Sequence, residues 1–142
     1  MIVSFGNRRE RRAGGTNVMH ELSIAQSLIE LLSDQLADYA PARATNVIVQ
    51  VGELSGVVPA ALLTAFTIAR QGTPLQSATL TIEPVRPRIW CDRCVAEQPA
   101  ESVQNLACTV CGQPSNDVRA GRELDVTHME LIDPPREPAD AV

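Results

Sequence analysis

Four cysteines in one unit constrain this chain more than any other feature: Cys91-Asp-Arg-Cys94, thirteen residues, then Cys108-Thr-Val-Cys111. Each C-x2-C turn offers two sulfurs to one ion, and the loop between lets the second turn fold over the first, as a tetrahedral thiolate site requires. No cysteine is left over. The competing use of such a set is two disulfides in a secreted protein, but no secretory-type apolar segment is visible to deliver the chain to an oxidising compartment. The spacing therefore predicts a structural zinc. With all four sulfurs engaged, that zinc keeps no open position for water or substrate, so it holds a fold together and catalyses nothing.

The 142-residue chain, 44% hydrophobic and 20% charged, has enough material for one modest core with the cysteine unit as a small appended lobe. Its longest apolar stretch, Ala60 to Ala69, is about half of what a membrane-spanning helix needs, and a cytoplasmic protein is expected. A net charge of −5 argues against general nucleic-acid binding, which collects a basic face to neutralise phosphates. All twelve basic residues are arginine. The absence of lysine excludes Schiff-base chemistry and the lysine-bearing phosphate loop.

Residues 1–18 have no helical or strand periodicity. Their run Arg8-Arg9-Glu10-Arg11-Arg12 and Gly14-Gly15 read either as a disordered extension or as a mis-assigned start, the true one being Met19. A chain beginning at Met19 keeps eight basic and sixteen acidic residues, a net charge of −8. From Leu22 onward, Ala25, Leu28, Ile29, Leu32 and Leu36 form one apolar helical stripe, which Pro41 is expected to stop through its effect on Ala40. Thr45 to Val51 reads as a strand ending at Gly52. A second helix follows, with Pro59 in its first turn, Gly72 at its exit, and Leu62, Phe66 and Ala69 inward. Leu80 and Ile82 alternate with polar neighbours as a half-buried strand. A last strand near 124–131 alternates without revealing its inner face. The order predicts an α+β fold: a small mixed three-stranded sheet with two helices, plus an inserted zinc-ribbon-like lobe. The expected divisions are 19–88 with 119–133 for the α+β domain, 89–118 for the zinc lobe, and a disordered proline-rich tail at 134–142.

Two histidines occur, His20 and His128. His20 stands in Met19-His20-Glu21, just before the first helix. If Met19 is the first residue, its free amine, the His20 amide and one imidazole nitrogen can wrap a single ion in fused chelate rings. Glu21 is placed to give a fourth donor. Such a nitrogen-rich square geometry suits Ni(II) or Cu(II). The alternative reading makes His20 and Glu21 the polar start of a helix, the glutamate favoured there by the helix dipole. His128, on a strand, reads as structural.

Met19-His20-Glu21-Leu22-Ser23-Ile24-Ala25-Gln26 resembles the opening of the HypA/HybF family of hydrogenase nickel-incorporation proteins. Also similar to that family are Val51-Gly52-Glu53-Leu54-Ser55-Gly56-Val57-Val58-Pro59, Gly72-Thr73-Pro74-Leu75, the paired cysteines and the closing Gly121-Arg122-Glu123-Leu124. The motifs span Met19 to about Asp133 in the family's order. The resemblance implies a nickel metallochaperone rather than an enzyme. His20 becomes the nickel ligand, Glu21 its neighbour in the site, and Met19 a donor through its amine only where it is N-terminal. Cys91, Cys94, Cys108 and Cys111 become the zinc ligands. The implied partners are a HypB-type GTPase, the [NiFe]-hydrogenase large subunit, in some members urease, and a second copy of the chain. Ala60 departs from the family's pattern, standing where a glutamate commonly follows the proline. The rival reading is a zinc-ribbon nucleic-acid or transcription-associated module. Between Cys91 and Cys111 it has Arg93 alone to set against Asp92, Glu97 and Glu101.

Overall fold

The structure is a computed structural model that describes residues 1–5 and 20–133. The arginine-rich part of the extension, Met19 and the expected tail at 134–142 lie outside the described residues. Within them the chain runs β1 (Ile2–Ser4), α1 (His20–Ala37), β2 (Arg43–Gly52), α2 (Pro59–Ala69), β3 (Thr79–Val85), β4 (Arg88–Cys91), β5 (Ala96–Pro99), β6 (Val118–Ala120) and β7 (Leu124–Ile132). The fold is α+β. Its main sheet has the order β1-β7-β2-β3, with β2 and β3 parallel across α2 and the other pairs antiparallel.

The apolar stripe of α1 packs where its spacing places it. Ala25, Leu28, Ile29, Leu32 and Leu36 are buried, joined by Ile24. They meet Leu62, Ala65 and Phe66 of α2, Val47, Val49 and Val51 of β2, and Met129 and Leu131 of β7. Each large aliphatic or Phe side chain so buried contributes about 1.5–3 kcal/mol relative to exposure. Helix α1 ends at Ala37, earlier than Pro41 alone implies, because Asp38, Tyr39 and Ala40 turn back in i→i−3 hydrogen bonds and Tyr39 folds onto the core.

Two features of the main sheet differ from the sequence reading. It has four strands instead of three, since Ile2–Ser4, read as part of a structureless extension, pairs antiparallel with β7. Val3 and Phe5 pack against the margin of the core, which supplies the burial that makes this short segment a strand. The ambiguous face of β7 is explained by a register shift against β2 between Ile48 and Val49. Leu124 and Val126 face the core before the shift, and Met129 and Leu131 after it. One extra residue in a strand exchanges its two faces.

Strands β5-β4-β6 form a second, antiparallel sheet that carries the cysteine unit and runs from Arg88 to Ala120. The chain leaves the main sheet at Val85 and re-enters after Gly121. At this seam the turn following β2 is hydrogen-bonded to both passing segments: Glu53 N–H donates to Val85 O at 2.9 Å, and Leu54 N–H to Gly121 O at 2.6 Å. Gly52 N–H donates to Glu123 O at 2.7 Å. A Cβ on Gly52 would lie 2.0 Å from the Gly121 carbonyl oxygen, so this approach requires glycine.

Candidate metal centre

Cys91 closes β4, and Cys94 follows in the turn to β5. Cys108 and Cys111 sit on the facing turn, which is tied down by an Ala100–Cys108 bridge and by Gly112 N–H donating to Cys108 O. One sulfur from each residue converges, all four within 4.8 Å of one another. Cys91 Sγ lies 3.4 Å from Cys111 Sγ, and Cys94 Sγ 3.9 Å from Cys108 Sγ. Sulfurs tetrahedrally bound to zinc at about 2.3 Å are about 3.8 Å apart, whereas a disulfide holds them near 2.05 Å. The separations fit four thiolates around one zinc and fit no disulfide.

The backbone prepares the sulfurs. Cys94 N–H points at Cys91 Sγ and Val110 N–H at Cys108 Sγ, each at 3.4 Å. Burial pushes the Cys94 thiol up to about 12, its neighbouring cysteines adding to the shift. At Cys108 burial also acts upward, but the Cys111 and Val110 amides outweigh it and bring the thiol to about 7. A cation is the remaining charge needed to hold all four as thiolates, and binding it must release protons. The residue after each cysteine pair takes a left-handed conformation, Val95 at φ 52° and Gly112 at φ 78°, so the backbone turns away from the sulfurs. Apart from Ile89, the fully buried side chains of this lobe are the two cysteines Cys91 and Cys108. A metal held by the four sulfurs would thus sit at the centre of this small core.

His20 is the first residue of α1 and is half-buried. Glu21 beside it is buried, and its Oε1 accepts the Val58 N–H at 3.3 Å. Val58 precedes the first turn of α2 and has no capping side chain of its own. Glu21 therefore closes the N-terminus of the neighbouring helix, a contact that sequence spacing does not reveal. Among the described residues, the cysteine quartet is the one group of three or more His, Cys, Asp or Glu donors within metal-binding reach. No second imidazole or carboxylate joins His20 and Glu21 in such a group. His128 lies across β7 from Ile48 and Ser4, on the sheet face away from the helices.

The fold and the closed thiolate site define a small α+β protein stabilised by a structural zinc ribbon. A family model described as hydrogenase/urease nickel incorporation, metallochaperone, HypA, matches residues 19–131. The chain is 38% identical over 115 residues to the hydrogenase maturation factor HypA of Roseiflexus sp., covering 81% of this chain and 94% of that protein. It is 41% identical over 110 residues to that of Deinococcus radiodurans, covering 76% and 89%. A solution structure of a HypA protein shares the fold at TM-score 0.60 and 24% identity, over 80% of this chain and 97% of that one. The solution structure of the Ni metallochaperone HypA from Helicobacter pylori does so at TM-score 0.57 and 23% identity, over 79% and 97%. The chain belongs to the HypA family of hydrogenase and urease nickel-incorporation metallochaperones. No helix among the described residues is long and apolar enough to cross a membrane.

Proposed function

We propose that this protein carries Ni(II) on the segment Met19-His20-Glu21 and delivers it to the [NiFe]-hydrogenase large subunit, or to urease. In this reading it acts in the cytoplasm with a HypB-type GTPase, pairs with a second copy of itself, and performs no catalysis. The observation that carries the reading is positional. The family match begins at Met19, and His20 opens α1 directly after it. His20 supplies the imidazole, and backbone nitrogens at the chain's turn into the helix supply further donors. Glu21 has one carboxylate oxygen committed to the Val58 amide, so it holds the segment against α2 and offers at most its other oxygen to the metal. The zinc lobe supplies shape and no metal exchange. The rival nucleic-acid reading gains little from the lobe's arginines, since Arg88 is paired with Glu97 and Arg119 with Asp117.

His20→Ala is the test. Isothermal titration is expected to show stoichiometric nickel binding lost, with zinc content and helical circular dichroism unchanged. Wild-type nickel affinity in the variant would move the site away from the first turn of α1, with His128 next to be examined.

A further inference from the structure

The two edges of the main sheet are guarded differently. The β3 edge carries Pro84 within the strand, and a proline on an edge strand discourages further pairing. Strand β7 has no proline from Leu124 to Ile132, and among the described residues the strand on its outer edge is β1. That cover is partial. Met1 to Phe5 lie against Thr127 to Leu131, five of the nine residue positions, with Phe5 N–H donating to Thr127 O, Leu131 N–H to Met1 O, and the Met1 amine to Leu131 O. Fourteen residues separate Phe5 from His20, so β1 is a tethered strand lying outside the segment that matches the family.

We propose that the β7 edge is a docking site for the β7 edge of a second copy, and that β1 is its competitor in cis. The interface gives a location to the self-pairing in the reading above and rests on it. The hydrogen bonds to β1 show that Thr127, Met129 and Leu131 turn their backbone groups outward. A two-fold axis makes two such edges antiparallel automatically. With Met129 on the axis, pairing runs from Val126 to Ile132, seven residues a side where Met1 to Phe5 offer five. This register sets His128 of one copy opposite Glu130 of the other, twice per dimer, both on the face away from the helices. Moving the axis one residue toward Glu130 opposes two glutamates, and one residue the other way opposes two histidines. Repulsion between the glutamates disfavours the first alternative, and the His128–Glu130 cross-strand pair, absent from the second, favours the Met129 register. The pairing also covers Ile132, 53% exposed, and the core margin that Val3 and Phe5 now occupy.

The fold is complete without the extension, because 80% of this chain covers 97% of a solved HypA chain. Sedimentation velocity on zinc-loaded proteins at roughly 10–100 µM tests the proposal, a range below the effective concentration of about millimolar that a tether gives β1. The full chain is expected to dimerise only weakly, because β1 competes for the edge. The chain beginning at Met19, and the full chain carrying Val3→Pro, are expected to dimerise. His128→Glu in the Met19 chain should weaken the dimer by about tenfold or more, and adding Glu130→Arg should restore it. A monomeric Met19 chain overturns both the edge and the self-pairing. Dimers of equal strength in the long and short chains, or a dimer indifferent to His128→Glu, overturn the edge while leaving self-pairing intact.

Discussion

Gly52→Ala probes the seam between the two lobes. The added methyl meets backbone at 2.0 Å from Gly121 O and 2.6 Å from Arg122 N, neither of which can rotate away. Reaching ordinary contact at about 3.4 Å requires the segments to part by about 1.4 Å. Such a displacement stretches the Gly52–Glu123 and Leu54–Gly121 bonds, now 2.7 and 2.6 Å, beyond useful range. Each buried backbone pair lost costs about 1–3 kcal/mol, so about 4 kcal/mol is expected for the two. For a domain of this size that lowers the melting temperature by roughly 15–20 °C. Gly72→Ala is the control. Its φ of +73° is also unfavourable for alanine, but no atom lies within 4 Å, and about 1 kcal/mol is expected. Thermal unfolding of the zinc-loaded variants, followed by far-ultraviolet circular dichroism, compares them directly. If Gly52→Ala melts no lower than Gly72→Ala, the close approach at the seam is not a constraint and the reasoning fails.

Cys94→Ala or Cys108→Ala should release zinc and unfold the β4–β6 lobe while the two-helix domain keeps its helical signal. One zinc per chain retained in both variants, measured by metal analysis, would contradict the four-thiolate assignment. Val95→Gly removes a β-branched residue from a left-handed position where its side chain is 72% exposed and packs little. A net gain of about 0.5–1 kcal/mol is expected, read as slower zinc loss to a chelator, and faster loss would refute it. Glu21→Ala should cost about 1–2 kcal/mol by stranding the Val58 amide, whereas Glu21→Gln keeps an acceptor and most of the stability. Equal melting of Ala and Gln variants would remove the capping role. A chain beginning at Met19 should bind nickel more tightly than the 142-residue chain, with a square-planar absorption band the longer one lacks. Its free amine titrates near neutral pH and an internal amide does not, and identical titrations would exclude the amine as a ligand.

What could be read from the sequence was local. The α1 stripe is set by 3.6-residue periodicity, the Leu80 and Ile82 alternation by strand pleat, and the cysteine quartet by the reach of two tight turns. What escaped depends on partners distant in the chain. Ile2–Ser4 is a strand only because β7 receives it, at a separation no local pattern encodes. The β7 alternation is consistent with either face until the shift against Val49 exchanges them. Gly52 looks like an ordinary turn glycine until Gly121 arrives against it. Glu21 at the start of a helix reads as a residue favoured by that helix's own dipole, yet its carboxylate caps the other helix.

That displacement of Glu21 bears on how the proposed nickel site differs from the zinc site. The zinc site offers four sulfurs, two of them buried and two half-buried, with amide donors aimed at two of them, where a metal would stand in for an apolar core, so loss of the ion would be loss of local structure. At the head of α1 the conditions are reversed. The N-terminus of a helix carries partial positive charge, which disfavours a cation there by about 0.3–1 kcal/mol. The adjacent Glu21 carboxylate is already shared with Val58. Nickel held by a neutral imidazole and backbone nitrogens in such a place is bound by few donors, and its departure leaves the α1 stripe and the Glu21–Val58 contact standing. A site for cargo needs that property: the fold must be indifferent to whether the metal is present. Fold stability should accordingly respond strongly to zinc and little to nickel, and thermal shifts of equal size for the two metals would contradict this division of roles.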